Sequence, residues 1–69
     1  MKLKKSQFLF TFTGYGHYKV EYTTANERLK YIATITDMTI IDEVKNEEYP
    51  KQKDLKYLAQ LVRRKSKTL

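Results

Sequence analysis

Residues 8–22 read FLFTFTGYGHYKVEY, from Phe8 to Tyr22, and the alternation in this stretch decides the fold. Phe8, Phe10 and Phe12 alternate with Leu9, Thr11 and Thr13; beyond Gly14-Tyr15-Gly16 the pattern resumes, with Tyr18, Val20 and Tyr22 set against Lys19, Glu21 and Thr23. A period of two in aromatic and β-branched residues is the pattern of a strand with one buried face. Two such runs around a glycine-bearing turn make a β-hairpin. A two-residue loop would set Phe12 opposite Lys19 and mix core with solvent residues. A three-residue loop pairs Phe12 with Tyr18, Phe10 with Val20 and Phe8 with Tyr22, and puts Gly16 where a turn-plus-bulge hairpin needs positive φ.

Downstream, Thr24 to Arg28 is a polar connection, and Leu29 to Thr36 alternates again, with Leu29, Tyr31, Ala33 and Ile35 on one side. This is a third strand. Keeping Leu29 and Tyr31 on the face of Tyr22 without an Asn-Gly or Gly-X pair favours a four-residue loop, Ala25 to Arg28. The resulting meander has one aromatic-rich face and one Thr/Lys/Glu face, and the former needs a cover.

The rest of the chain supplies it. Asp37, or alternatively Thr39, is suited to cap a short helix that turns Ile40, Ile41 and Val44 inward and stops near Asn46 or Glu47, because Pro50 disfavours helical geometry at Tyr49. Pro50 suits the first turn of a second helix. There Leu55, Leu58, Ala59 and Val62 recur at helical spacing, Leu61 widens the stripe, and Arg63-Arg64-Lys65 closes the helix at the negative end of its dipole. The expected fold is one α+β domain over residues 1–69, ordered β-β-β-α-α, a three-stranded antiparallel meander covered on one face by one short and one longer helix. The ends, 1–6 and 66–69, are expected to fray.

With 69 residues, a chain of this size buries only about 60% of the surface that its unfolded form exposes. There is no cysteine, so a disulfide framework and thiolate zinc sites are excluded, and a reducing cytoplasm is the expected setting. The charged start, Met1 to Lys5, is followed by an apolar run too short for a signal peptide, and no segment approaches the length of a membrane span. No membrane association is expected.

The net charge is +6, which favours acidic partners. Residues 1–30 carry six Lys/Arg against Glu21 and Glu27; residues 37–48 carry five carboxylates against Lys45; residues 51–67 carry seven basic residues against Asp54. On a helical wheel Lys53, Lys56, Gln60, Arg63, Arg64 and Lys67 fall in one arc away from the apolar stripe, with Tyr57 on the same outer side. A basic stripe along a helix is the footprint of phosphate contacts; its plain alternative is a solvated face that keeps the protein soluble.

The six tyrosines invite a base-stacking role, but Tyr18, Tyr22 and Tyr31 share the face of Phe8, Phe10 and Phe12 and read as core. Tyr15 and Tyr57 are better placed for contacts. Gly14-Tyr15-Gly16-His17 joins two strands, not a strand and a helix, so turn geometry explains its glycines better than phosphate binding does. His17 is the only histidine and has no metal-ligand spacing around it. Asp42, Glu43, Glu47 and Glu48 read as a solvated acidic helix. No catalytic residue, metal or cofactor is expected, and the chain is read as a binding module, not an enzyme.

The run Phe10-Thr11-Phe12-Thr13-Gly14-Tyr15-Gly16-His17-Tyr18, then Thr36-Asp37-Met38-Thr39-Ile40-Ile41-Asp42, then a final basic helix, resembles short uncharacterised proteins of bacterial phages and mobile elements. The resemblance implies a bacterial or phage setting, where small basic proteins act as accessory or regulatory binders. The double-stranded RNA-binding fold also ends a meander with a lysine-bearing helix, but its first helix and paired-lysine helix start are missing here. The expected function is binding of a polyanion such as nucleic acid through the C-terminal helix, by a monomer or weak homodimer. The alternative is a protein-interaction or inhibitor module.

Overall fold

Because each strand of the meander hands directly to the next, strand order follows chain order. In the computed structural model, which describes residues 2–24, 26 and 28–66, β1 (Phe8–Gly14), β2 (His17–Thr23) and β3 (Lys30–Ile35) form an antiparallel sheet in the order β1-β2-β3. Two helices follow, α1 (Met38–Asn46) and α2 (Gln52–Ser66). The architecture is therefore the expected α+β, β-β-β-α-α arrangement.

The first hairpin has the expected register, Phe8 with Tyr22, Phe10 with Val20 and Phe12 with Tyr18, but reaches it by another route. Gly14 pairs with His17, so the loop is two residues, Tyr15-Gly16, and the register shifts between Phe12 and Gly14. One extra residue on β1 restores the alternation that a bare two-residue turn would have inverted. Tyr15 (φ 55°) and Gly16 (φ 74°) both adopt positive φ, as the primed two-residue turns require. Gly14, at φ 99°, takes the bulge in a conformation that a β-carbon would strain. Thr13 Oγ1 donates to the His17 carbonyl at 3.2 Å and fastens the end of the ribbon.

Between β2 and β3, Tyr22 pairs with Tyr31, Val20 with Ala33 and Tyr18 with Ile35. The Thr24 N–H donates to the Leu29 carbonyl at 3.0 Å, so these two residues flank the connection as the four-residue loop demands. Rings line one end of the covered face: Phe8 stacks on Tyr22 at 5.0 Å between centroids, and Tyr22 on Tyr31 at 6.1 Å. Such pairs add to the area they bury.

The core unites Phe8, Val20, Tyr22, Ala33 and Ile35 of the sheet with Ile40, Ile41 and Val44 of α1 and Leu55, Leu58, Ala59 and Val62 of α2. Both helical stripes are those the spacing predicts. Asp37 caps α1, its Oδ1 accepting from the Ile40 N–H at 3.4 Å. At the start of α2 the Lys51 carbonyl accepts from the Asp54 and Leu55 N–H groups. Lys51 thus holds the capping place, and Pro50 lies outside the first turn, not within it.

Two expectations about the covered face need correction. Phe12 is 60% exposed and Leu29 is 55% exposed, while Phe10, Tyr18 and Tyr31 are half-buried. For Phe12 the reason is placement: α2 packs chiefly on β3 and, less, on β2, so its cover stops short of the turn end of β1; Leu29 lies ahead of β3, at the opposite end of the sheet.

Ahead of β1 the chain forms a 3-10 turn, Lys5–Gln7, and does not extend the strand. Leu3 packs against the core, Gln7 Nε2 donates to the Thr23 carbonyl at 3.0 Å, and Lys5 Nζ donates to the Lys45 carbonyl at 2.7 Å. Among the described residues, no helix is long and apolar enough to cross a membrane.

Candidate nucleic-acid interface

An amphipathic helix that buries one stripe must present the opposite arc to solvent. In α2 the buried stripe is Leu55, Leu58, Ala59 and Val62, and Lys53, Lys56, Gln60, Arg63 and Arg64 are exposed, with Tyr57 46% exposed beside them. Lys53, Lys56, Gln60 and Arg64 follow one another at three or four residues, about 5–6 Å apart along the axis, so the row covers about 16 Å. Lys67, expected to continue it, lies outside the described residues.

Among the described residues, Lys53, Lys56 and Arg64 make no ion pair; the salt bridge present joins Lys30 to Glu21 at 3.7 Å, across the sheet. Asp54 is half-buried in the first turn of α2, where a carboxylate favours the helix dipole. It does not interrupt the basic row.

Arg63 departs from the expected picture. Its guanidinium carbon lies 5.5 Å from the centroid of the Tyr31 ring, within cation–π range. On the wheel it is at the margin of the basic arc next to Ala59, the side that meets the sheet. That marginal position is the only sign of its second role visible in the spacing.

A second cation is engaged in the same way without any sequence signal. Lys45 Nζ stands 4.4 Å over the Tyr18 ring and donates to the Tyr18 hydroxyl at 3.0 Å. Lys45 therefore belongs to the fold, and the net positive charge is less available as binding surface than its sum suggests.

The remaining candidates are dispersed. Tyr15 is 98% exposed at the hairpin tip, and His17, Asp42, Glu43, Glu47 and Glu48 are exposed. Among the described residues no three His, Cys, Asp or Glu side chains gather as a metal site would need. Neither a family model, nor a curated protein, nor a solved structure matches this chain.

Proposed function

We propose that this protein is a non-enzymatic binding module that holds a polyanion, nucleic acid in the first instance, along the outer face of α2. The observation that carries the reading is the row Lys53, Lys56, Gln60 and Arg64, with its three cations free of ion pairs among the described residues. Cations already neutralised by carboxylates would gain little from phosphates; these release counterions instead. Tyr57 offers a flat ring at the margin of the row, suited to stack on an unpaired base. The proposed setting is a bacterial or phage cytoplasm, following the resemblance noted above.

The test is fluorescence anisotropy with labelled single- and double-stranded oligonucleotides across salt concentrations. Three phosphate contacts, one for each cation of the row, predict a slope of log affinity against log salt of about −3 on duplex. Replacing Lys56 and Arg64 by Gln together should flatten that slope by nearly two and weaken all sequences alike, because phosphate contacts position without specifying. Arg63→Gln should cost less than Arg64→Gln, since Arg63 is already held over Tyr31. No binding tighter than about 100 μM at physiological salt would sink the reading.

A second reading, a protein-interaction module, is favoured by a different feature, the outer edge of β1.

A further inference from the structure

The order β1-β2-β3 leaves β1 and β3 as the two edges of the sheet, and the edges are treated differently. β3 opens with Lys30, carries α2 on its face, and has Arg63 over Tyr31. Lysine at an edge and a covering helix are devices that discourage pairing with another chain. β1 has neither. Its seven residues, FLFTFTG, include no charge and no proline, and its outer N–H and C=O groups have no ladder partner among the described residues. Leu9 is 58% exposed on one face and Phe12 60% on the other.

We infer that β1 is the docking edge for a second copy of this chain, pairing antiparallel about a two-fold axis at Thr11 to make a continuous six-stranded sheet. Three features select a second copy as the occupant. First, an isologous contact must be self-complementary, and an uncharged strand lets two copies of a basic protein meet without opposing like charges directly. Second, alternation demands a register that keeps the covered faces together, which confines pairing to an even sum of residue numbers. Centring on Phe10 would set Phe12 against Phe8, already 7% exposed. Centring on Thr11 sets Phe12 of each copy against half-buried Phe10 of the other, and Leu9 against Thr13. The four incompletely covered rings then cover one another. Third, the exposure of Phe12 shows that the helical layer does not overhang this end of β1, so the second strand meets no obstruction there.

The test uses the full chain in sedimentation velocity from about 10 μM to about 1 mM, the range in which an interface of small area associates. The expected species is a dimer, twice the 8.3 kDa chain mass, growing with concentration and strengthening as salt rises. That salt response has the opposite sign to nucleic-acid binding, so the two readings stand or fall separately. Thr11→Lys sets two lysines opposite each other at the axis and should abolish the dimer at concentrations where the unaltered chain is mostly paired. Thr11 is exposed but stands opposite Lys19 in the first hairpin, so a slightly lowered circular-dichroism melt is expected of this variant from the like-charge pair. Leu9→Lys, opposite Glu21, should abolish the dimer in the same way and keep the melt unchanged, whereas Thr34→Lys on the β3 edge should leave association intact. A monomer throughout the range would overturn the inference. So would an open-ended assembly, or a dimer indifferent to both β1 lysines.

Discussion

Gln52, the first residue of α2, holds the backbone of Leu3 with both ends of its side-chain amide. Oε1 accepts from the Leu3 N–H at 3.0 Å, and Nε2 donates to the Leu3 carbonyl at 2.7 Å. The contact joins positions 49 residues apart and brings the Leu3 side chain onto the core.

Gln52→Ala should therefore destabilise the protein by about 1–3 kcal/mol, through the loss of two part-buried hydrogen bonds. In a domain of this size each kcal/mol lowers the melting temperature by about 4–8 °C. Amide exchange at Leu3 should accelerate in the variant. A melt coinciding with that of the unaltered chain would show that the lead-in contributes nothing to stability.

The burial gradient along β1 makes a graded prediction. Phe8 is 7% exposed and stacked on Tyr22, so Phe8→Ala should cost about 3–5 kcal/mol. Phe10 is half-buried and should cost roughly half as much, and Phe12→Ala in the monomer about 1 kcal/mol or less. Urea denaturation of the three variants at low protein concentration checks the order. A loss at Phe12 equal to that at Phe8 would mean that the helical cover reaches the turn end of β1.

Tyr15 is a bulky residue at φ 55° with its side chain almost fully exposed, so it bears backbone strain with no packing in return. Tyr15→Asn would place Asn-Gly in the two-residue turn, the pair best suited to positive φ at both positions. The expected outcome is a gain of about 0.5–1 kcal/mol, read as a rise in the thermal midpoint. Gly14→Ala and Gly16→Ala should each lose about 1 kcal/mol or more, although open space surrounds both positions. A loss of stability on Tyr15→Asn would mean that the Tyr15 ring makes a contact absent from this structure.

The register of the whole meander was legible in the alternation of Phe8 to Tyr22 and Leu29 to Thr36. A one-residue slip inverts every side chain, so the apolar pattern alone excludes the wrong pairings. The stripe of α2 and its basic outer arc were legible for a related reason: helical geometry places residues three and four apart side by side whatever else surrounds them. Local chemistry narrowed the cap of α1 to Asp37 or Thr39 and its end to Asn46 or Glu47, and the folded chain takes Asp37 and Asn46.

Tertiary structure alone decided where the cover stops. The covered sheet face has one pattern from Phe8 to Phe12, yet α2 rests on β3 and β2, so burial falls along β1 from Phe8 to Phe12 while residue type stays the same. The same placement draws Arg63 out of the basic row and over Tyr31, sets Lys45 on Tyr18, and brings Leu3 to Gln52. Each of these contacts depends on the relative position of elements distant in the chain, which periodicity within one element does not encode. The bulge at Gly14 is intermediate: a three-residue loop and a two-residue turn with one extra strand residue give identical pairing from Phe12 onward, and only the backbone angles at Gly14, Tyr15 and Gly16 distinguish them.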